Sequence, residues 1–187
     1  MSQTDSSKRI LTIPNLLSLF RLCLIPVFVN LYCREGNYPA TAGILLLSGA
    51  SDIVDGFIAR HFHMISDLGK VLDPVADKLT QFAMLGCLLT RFPRMSWALL
   101  ALVVKEVSDA LTGYLVIKKT GVVCGAEWHG KAATCVLFAV MVVHVLWFRI
   151  SPSFSLALTV LATAVQILSM ALYLKRNFGL IRSGKPS

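Results

Sequence analysis

The chain has 187 residues, a formal net charge of +8, and a composition that is 56% hydrophobic and only 15% charged. An ordinary soluble domain carries about 25% charged residues, so this composition argues against a soluble domain. The length fits a single domain over residues 1–187. The positive charge suits an anionic lipid surface. It does not indicate a nucleic-acid partner, because the sequence has no basic stripe with interleaved aromatic residues.

The two ends of the chain are polar. The first segment, 1–12, contains Lys8 and Arg9. It leads into a full-length apolar run rather than the short apolar core of a signal peptide, so we expect no signal peptide. We expect the segment to form a short interfacial helix. The last segment, 177–187, is basic and contains Gly and Pro. We expect this tail to be frayed at the membrane surface.

Six apolar runs fill the chain between these ends. They cover residues 13–33, 39–59, 71–91, 95–117, 132–148 and 154–174. Each is near the roughly 20 residues that a membrane-spanning helix needs, and none alternates like the strand of a membrane barrel. In hydrocarbon the backbone must satisfy its own hydrogen bonds, which favours helices. The sequence therefore predicts an all-α integral membrane protein with six transmembrane helices, and a buried soluble bundle is the alternative.

Lysine and arginine residues set the expected orientation. One side of the predicted membrane has eleven of them: Lys8, Arg9, Arg60, Lys70, Lys118, Lys119, Lys131, Lys175, Arg176, Arg182 and Lys185. The other side has four: Arg34, Arg91, Arg94 and Arg149. Because basic loops stay in the cytoplasm, both termini are predicted to be cytoplasmic.

Ionisable residues inside the predicted spans are the strongest functional signal. They are Arg21, Asp52, Asp55, Asp73, Asp77, Lys78, Lys105, Glu106 and Asp109. A charge at the centre of a bilayer costs at least about 2.5–3.5 kcal/mol, so such residues usually face a functional site inside the bundle.

Two pairs of aspartates are spaced to share helix faces. Asp52 and Asp55 are three residues apart, and Asp73 and Asp77 are four apart on the next run. A short loop joins the two runs, so we expect antiparallel neighbours whose carboxylates face each other. Such a cluster needs a counter-charge, and an all-oxygen set suits Mg²⁺ or Mn²⁺, with room for two ions. No Cys or His stands at matching positions, which argues against zinc.

These residues form one continuous pattern. It reads Asp52-x2-Asp55-Gly56-x2-Ala59-Arg60-x8-Gly69-x3-Asp73-x3-Asp77. The pattern resembles the full signature of the CDP-alcohol phosphotransferase family, with all eight fixed positions matched. Within that family the chain is most similar to bacterial phosphatidylglycerophosphate synthases, through Ile13 to Arg21, Leu72 to Leu79, and Trp128-His129-Gly130-Lys131.

The resemblance implies a homodimeric enzyme of the inner (cytoplasmic) membrane, with its active site facing the cytoplasm. It would transfer a phosphatidyl group from CDP-diacylglycerol to glycerol 3-phosphate and release CMP. The implied metal ligands are Asp52, Asp55, Asp73 and Asp77, with Asp77 also the general base. The implied donor-binding residues are Asn15, Ser18, Gly56, Ala59, Arg60 and Gly69.

The acceptor is the most open part of the prediction. Candidate cations for its phosphate are Lys105, Lys131 and Arg176. Lys105 stands where similar synthases have Arg, and the two side chains bind phosphate with different geometry. The alternative for Lys105, Glu106 and Asp109 is a buried ion-pair network, and the alternative for Arg21 is an ion pair with a buried acid. Alternative acceptors are phosphatidylglycerol, inositol phosphate and serine, and a small ion or proton transporter is a distant alternative.

Overall fold

A computed structural model describes residues 12–61, 67–121, 127–147 and 149–183. The described residues form six long helices and no strand. The helices are α1 (Ile13–Asn30), α2 (Tyr38–His61), α3 (Asp67–Leu89), α4 (Ser96–Thr120), α5 (Trp128–Leu146) and α6 (Pro152–Ser183). A π-helical turn, Leu31–Glu35, extends α1, and a 3₁₀ turn, Pro93–Met95, precedes α4. The prediction of an all-helical fold is confirmed over the described residues, whereas the prediction that six helices cross a membrane stays a prediction.

Three helical segments are long and apolar enough to cross a membrane. They are Pro14–Glu35, Trp128–Leu146 and Pro152–Arg182. Most residues of these segments are not buried by the rest of the described structure. In α2 the apolar part is the shorter stretch Tyr38–Val54. Helices α2, α3 and α4 carry the predicted site residues Asp52, Asp55, Arg60, Asp73, Asp77 and Lys105.

The chain divides into two compact units. The first comprises residues 1–88 with 145–148, and the second comprises 89–144 with 149–187. Each has its own packing, and the prediction of a single domain over 1–187 stays a prediction.

In the first unit, α1 packs against α2. The hydroxyl oxygen of Thr12 caps α1 by accepting the Asn15 N–H at 3.4 Å. Gly36 ends the π-helical turn with φ of +63°, a backbone conformation that glycine adopts without steric cost. Near this end the thiols of Cys33 and Cys87 lie 3.6 Å apart, which joins the π-helical turn to α3.

In the second unit, α4 packs against α6. Buried polar side chains make hydrogen bonds inside this apolar packing. The Gln166 amide donates to the Ala98 carbonyl at 3.3 Å. His144, which is buried, lies 3.0 Å from the Ser155 hydroxyl.

The expectation of a frayed C-terminal tail is wrong over its described part. Helix α6 continues to Ser183, because Asn177 and Leu180 are buried and hold the helix in the second unit. The Asn177 amide also donates to the Thr112 hydroxyl at 3.0 Å. The predicted interfacial helix falls almost wholly on residues 1–11, which lie outside the described residues.

Candidate active site

The aspartates of α2 and α3 meet at one arginine from α1. The Arg21 guanidinium lies 2.7 Å from Asp52 Oδ1 and 3.4 Å from Asp73 Oδ1. The arginine side chain is 2% exposed, whereas the two aspartate side chains are 45% and 43% exposed. A buried cation therefore draws acids from two helices to one place while leaving them open to a ligand. The predicted proximity of Asp52 and Asp73 is confirmed. Arg21 forms ion pairs, as its alternative role predicted, although the acids it contacts are half-exposed.

The polar stripe on α1 faces inward as its spacing indicates. Asn15, Ser18 and Arg21 recur every three residues, and all three are buried. The Ser18 hydroxyl lies 3.1 Å from the Pro14 carbonyl and 3.4 Å from Asp73 Oδ1. Ser18 and Arg21 thus hold the same oxygen of Asp73.

Asp77 lies one turn after Asp73 on α3 and has its own partners. Its Oδ2 accepts a hydrogen bond from the Gln81 amide at 2.8 Å and lies 3.8 Å from the Lys78 ammonium. The Asp77 side chain is 33% exposed. Pro74 stands inside α3 between the two aspartates and removes one backbone donor from the helix there.

Each of these three aspartates keeps one oxygen without a partner among the described residues. The protein holds Oδ1 of Asp52 and Asp73 and Oδ2 of Asp77. Carboxylate oxygens are the ligands that a hard divalent cation prefers. Across the described parts of the chain no three His, Cys, Asp or Glu side chains stand close enough to enclose a metal ion. Arg21 supplies the counter-charge between Asp52 and Asp73 in this arrangement.

Several predicted residues can be located only by their helix. Asp55, Gly56, Ala59 and Arg60 belong to α2, but their side chains lie outside the described part of the structure. Gly69 is on α3, one turn before Asp73. The roles predicted for these residues stay predictions.

Lys105 of the second unit is enclosed by acids of its own helix. Its ammonium lies 3.0 Å from Glu106 Oε1 and 2.9 Å from Asp109 Oδ2. The lysine is buried and both acids are largely covered, with 26% and 17% of their side chains exposed. The ion-pair network that was the alternative for this trio is present.

The other two candidate acceptor ligands differ from each other. Arg176 pairs with Glu127 and lies 4.8 Å from the centre of the Tyr173 ring. Lys131 is exposed at the start of α5, and the described residues give it no ion-pair partner. Of the three predicted cations, Lys131 is the one with its charge least engaged.

Sequence reasoning missed the residues that organise the start of α5. The Tyr173 hydroxyl accepts the Glu127 backbone N–H at 2.9 Å, and its ring packs on His129 at 4.8 Å between centres. A Cβ atom at Gly130 would stand 3.1 Å from the Tyr173 ring, so this glycine permits a close approach. The only available signal was a tyrosine within an otherwise apolar run, which by itself predicts nothing specific.

One acid of α2, Asp52, and one acid of α3, Asp73, are therefore held at the same buried arginine. The sequence profile of the CDP-alcohol phosphatidyltransferase family matches residues 11–175, and the chain belongs to this family.

Curated relatives carry two different activity names. The chain is 43% identical over 109 residues to a cardiolipin synthase (CMP-forming) of Streptomyces coelicolor, covering 56% of this chain and 49% of the relative. It is 32% identical over 137 residues to the CDP-diacylglycerol–glycerol-3-phosphate 3-phosphatidyltransferase of Bacillus subtilis, covering 65% of this chain and 70% of the relative. A rat cardiolipin synthase (CMP-forming) is 44% identical over 79 residues, or 42% and 26% of the two chains. The matched region spans about half or less of these cardiolipin synthases.

Proposed function

We propose that this protein transfers the phosphatidyl group of CDP-diacylglycerol to glycerol 3-phosphate, giving phosphatidylglycerophosphate and CMP in phospholipid biosynthesis. The observation that carries the proposal is the convergence of Asp52 and Asp73 on buried Arg21, because these are signature acids of the family. The Bacillus subtilis relative, which carries this activity in its name, supports glycerol 3-phosphate as the acceptor. Family membership favours this enzyme over a small transporter.

In the proposed mechanism, Asp52, Asp55 and Asp73 would hold Mg²⁺ or Mn²⁺, and Asp77 would be a further ligand of the second of two ions. Such ions, when bound, would neutralise the pyrophosphate and stabilise CMP as a leaving group. Asp77 takes the proton from the acceptor hydroxyl. The hydroxyl oxygen then bonds to the phosphorus that carries the diacylglycerol, and the bond from that phosphorus to CMP breaks.

The donor and the acceptor use different residues in this proposal. Asn15, Ser18, Gly56, Ala59, Arg60 and Gly69 bind the CDP-lipid. Lys105, Lys131 and Arg176 bind the phosphate of the acceptor. Because Lys105 and Arg176 are already paired with acids, Lys131 has the most charge to offer to a phosphate.

The favoured alternative keeps the reaction and changes the acceptor to phosphatidylglycerol. It is supported by relatives named cardiolipin synthase, among them the 43% identical protein of Streptomyces coelicolor. The enclosure of Lys105 by Glu106 and Asp109 also fits an acceptor that needs fewer free cations.

We further propose that all six helices span the inner membrane and that both termini and the active site face the cytoplasm. The excess of Lys and Arg on one side supports this orientation. In this orientation the water-soluble nucleotide and acceptor would reach a site at the membrane boundary, while the acyl chains stay in lipid. A homodimer is the proposed assembly.

An acceptor screen tests the proposal directly. Purified protein in detergent receives CDP-diacylglycerol and Mg²⁺ or Mn²⁺, and CMP release is followed with glycerol 3-phosphate, phosphatidylglycerol, inositol phosphate or serine in separate reactions. We expect release with glycerol 3-phosphate, and excess chelator should stop it reversibly. Release with phosphatidylglycerol alone would establish the alternative, and activity that persists in chelator would contradict the metal-dependent mechanism.

A further inference from the structure

Gln81 is a buried polar residue with no role in the family signature. It lies on α3 one turn after Asp77, and it is only 2% exposed. Its neighbours on the helix face toward the core are apolar, including Met84, Leu85 and Leu88. A glutamine at such a position calls for a physical reason.

The amide of Gln81 holds one chosen oxygen of Asp77. Gln81 Nε2 donates to Asp77 Oδ2 at 2.8 Å, and the Lys78 ammonium lies 3.8 Å from the same oxygen. A carboxylate only accepts hydrogen bonds, so the amide must present its nitrogen here. Both contacts fall on Oδ2, and Oδ1 has no partner among the described residues.

Burying the Gln81 side chain costs free energy of folding, and packing gives no reason for it. Gln81 Oε1 is buried and accepts no hydrogen bond among the described residues. A buried acceptor left unsatisfied costs about 1–3 kcal/mol, and an apolar side chain of the same shape would avoid it. A methionine at position 81 would fill the space without this cost. Stability alone therefore does not account for the glutamine.

We propose that Gln81 is a positioning residue that anchors Oδ2 of Asp77, so that Oδ1 is the oxygen that meets the divalent cation and the acceptor hydroxyl. The inference rests on the role of Asp77 in the proposed function. Without the anchor, the carboxylate rotates between orientations, and only some of them present an oxygen to the reacting group. Hydrogen-bond partners that orient a metal ligand typically contribute about 10–100-fold to metal affinity or activity.

The test compares Gln81→Met with Gln166→Met. Gln166 is an equally buried glutamine, with its amide on the Ala98 carbonyl and its Oε1 also without a partner among the described residues. Three quantities are measured on the full chain in detergent: kcat for CMP release, the Mn²⁺ dissociation constant by electron paramagnetic resonance, and the melting temperature. For Gln81→Met we expect kcat to fall about 10–100-fold and Mn²⁺ to bind about tenfold more weakly, at an unchanged or higher melting temperature. Gln166→Met should leave kcat and Mn²⁺ affinity unchanged.

Gln81→Leu supplies a second variant of similar volume. A leucine cannot donate a hydrogen bond to Asp77, so this variant should lose kcat and Mn²⁺ affinity as Gln81→Met does. Wild-type kcat and Mn²⁺ affinity in both variants would overturn the inference. So would a loss of kcat that merely follows a loss of melting temperature, since that marks a structural role. If the wild-type protein releases no CMP with any acceptor, the proposed function fails, while the Mn²⁺ comparison still decides whether Gln81 orients Asp77.

Discussion

Two charged clusters of this protein have the same formal charge but differ in how exposed their acidic side chains are. Arg21 with Asp52 and Asp73 sums to −1, and Lys105 with Glu106 and Asp109 also sums to −1. We call the first the open cluster, because its acids are 45% and 43% exposed, and the second the closed cluster, because its acids are 26% and 17% exposed.

The difference shows that charge alone does not mark a site. In the closed cluster a central ammonium touches both acids within one helix, and the acids have little surface left. In the open cluster the guanidinium holds one oxygen of each acid and leaves the other without a partner among the described residues. Both clusters thus have a counter-ion, but only the acids of the open cluster keep a large exposed surface.

The largest expected effect lies beside the open cluster. Asp77→Asn should lower turnover about 10²–10⁴-fold, because an amide cannot take the proton from the acceptor hydroxyl. Binding of CDP-diacylglycerol in the presence of metal should remain measurable. CMP release and donor binding are measured on the same preparation. Glu35→Gln is the control, because Glu35 is exposed and hydrogen-bonded to Asn30 away from the site. Normal turnover in Asp77→Asn would show that Asp77 is not the base.

The next effect separates the two clusters by their response to metal. Arg21→Met removes the cation from Asp52 and Asp73 and should lower stability by about 1.5–3 kcal/mol, the contribution of hydrogen bonds to charged groups. Mg²⁺ should restore much of this loss, because the freed oxygens can bind it. Thermal unfolding in detergent, with and without Mg²⁺, measures both changes.

Lys105→Met is the matched variant in the closed cluster. It should also lower the melting temperature, but Mg²⁺ should not restore it, since Glu106 and Asp109 are too covered to bind a hydrated ion. An equal Mg²⁺ response in the two variants would show that the open and closed clusters do not differ in the way proposed.

A smaller effect is expected on acceptor binding. Lys131→Ala should raise the KM for glycerol 3-phosphate about tenfold, because an exposed charge-assisted contact contributes near the low end of about 1.5–3 kcal/mol. Initial rates of CMP release against acceptor concentration give the value. Lys175→Ala is the control, as Lys175 is also exposed and basic. An unchanged KM in Lys131→Ala would argue against this lysine as a phosphate ligand.

The smallest effect concerns the start of α5. Tyr173→Phe removes the oxygen that accepts the Glu127 N–H and should lower stability by about 0.5–1.5 kcal/mol. Tyr114→Phe is the comparison, because Tyr114 is 63% exposed and should tolerate the change. Thermal unfolding of both variants measures the difference. Equal melting temperatures would mean that the Tyr173 hydrogen bond contributes nothing measurable.

Helix positions and the inward face of α1 were predictable because both follow from local rules. Apolar run length set the six helices, and a spacing of three residues put Asn15, Ser18 and Arg21 on one buried face. The described part of the C-terminal tail, residues 177–183, was predicted wrongly because its helix is held by a residue distant in sequence, Thr112, which hydrogen-bonds Asn177. No local pattern indicates such a contact.

The sequence by itself determined the family and the helical class, and it predicts the acids of the site, since each follows from residue identity, spacing or run length. Only the tertiary structure decided which oxygen of each acid the protein holds, which cations are already paired and that Gln81 reaches Asp77. The physical reason is range: helix periodicity fixes which face a residue occupies. Partner choice depends instead on how side chains from α1, α2 and α3 meet within a few ångströms.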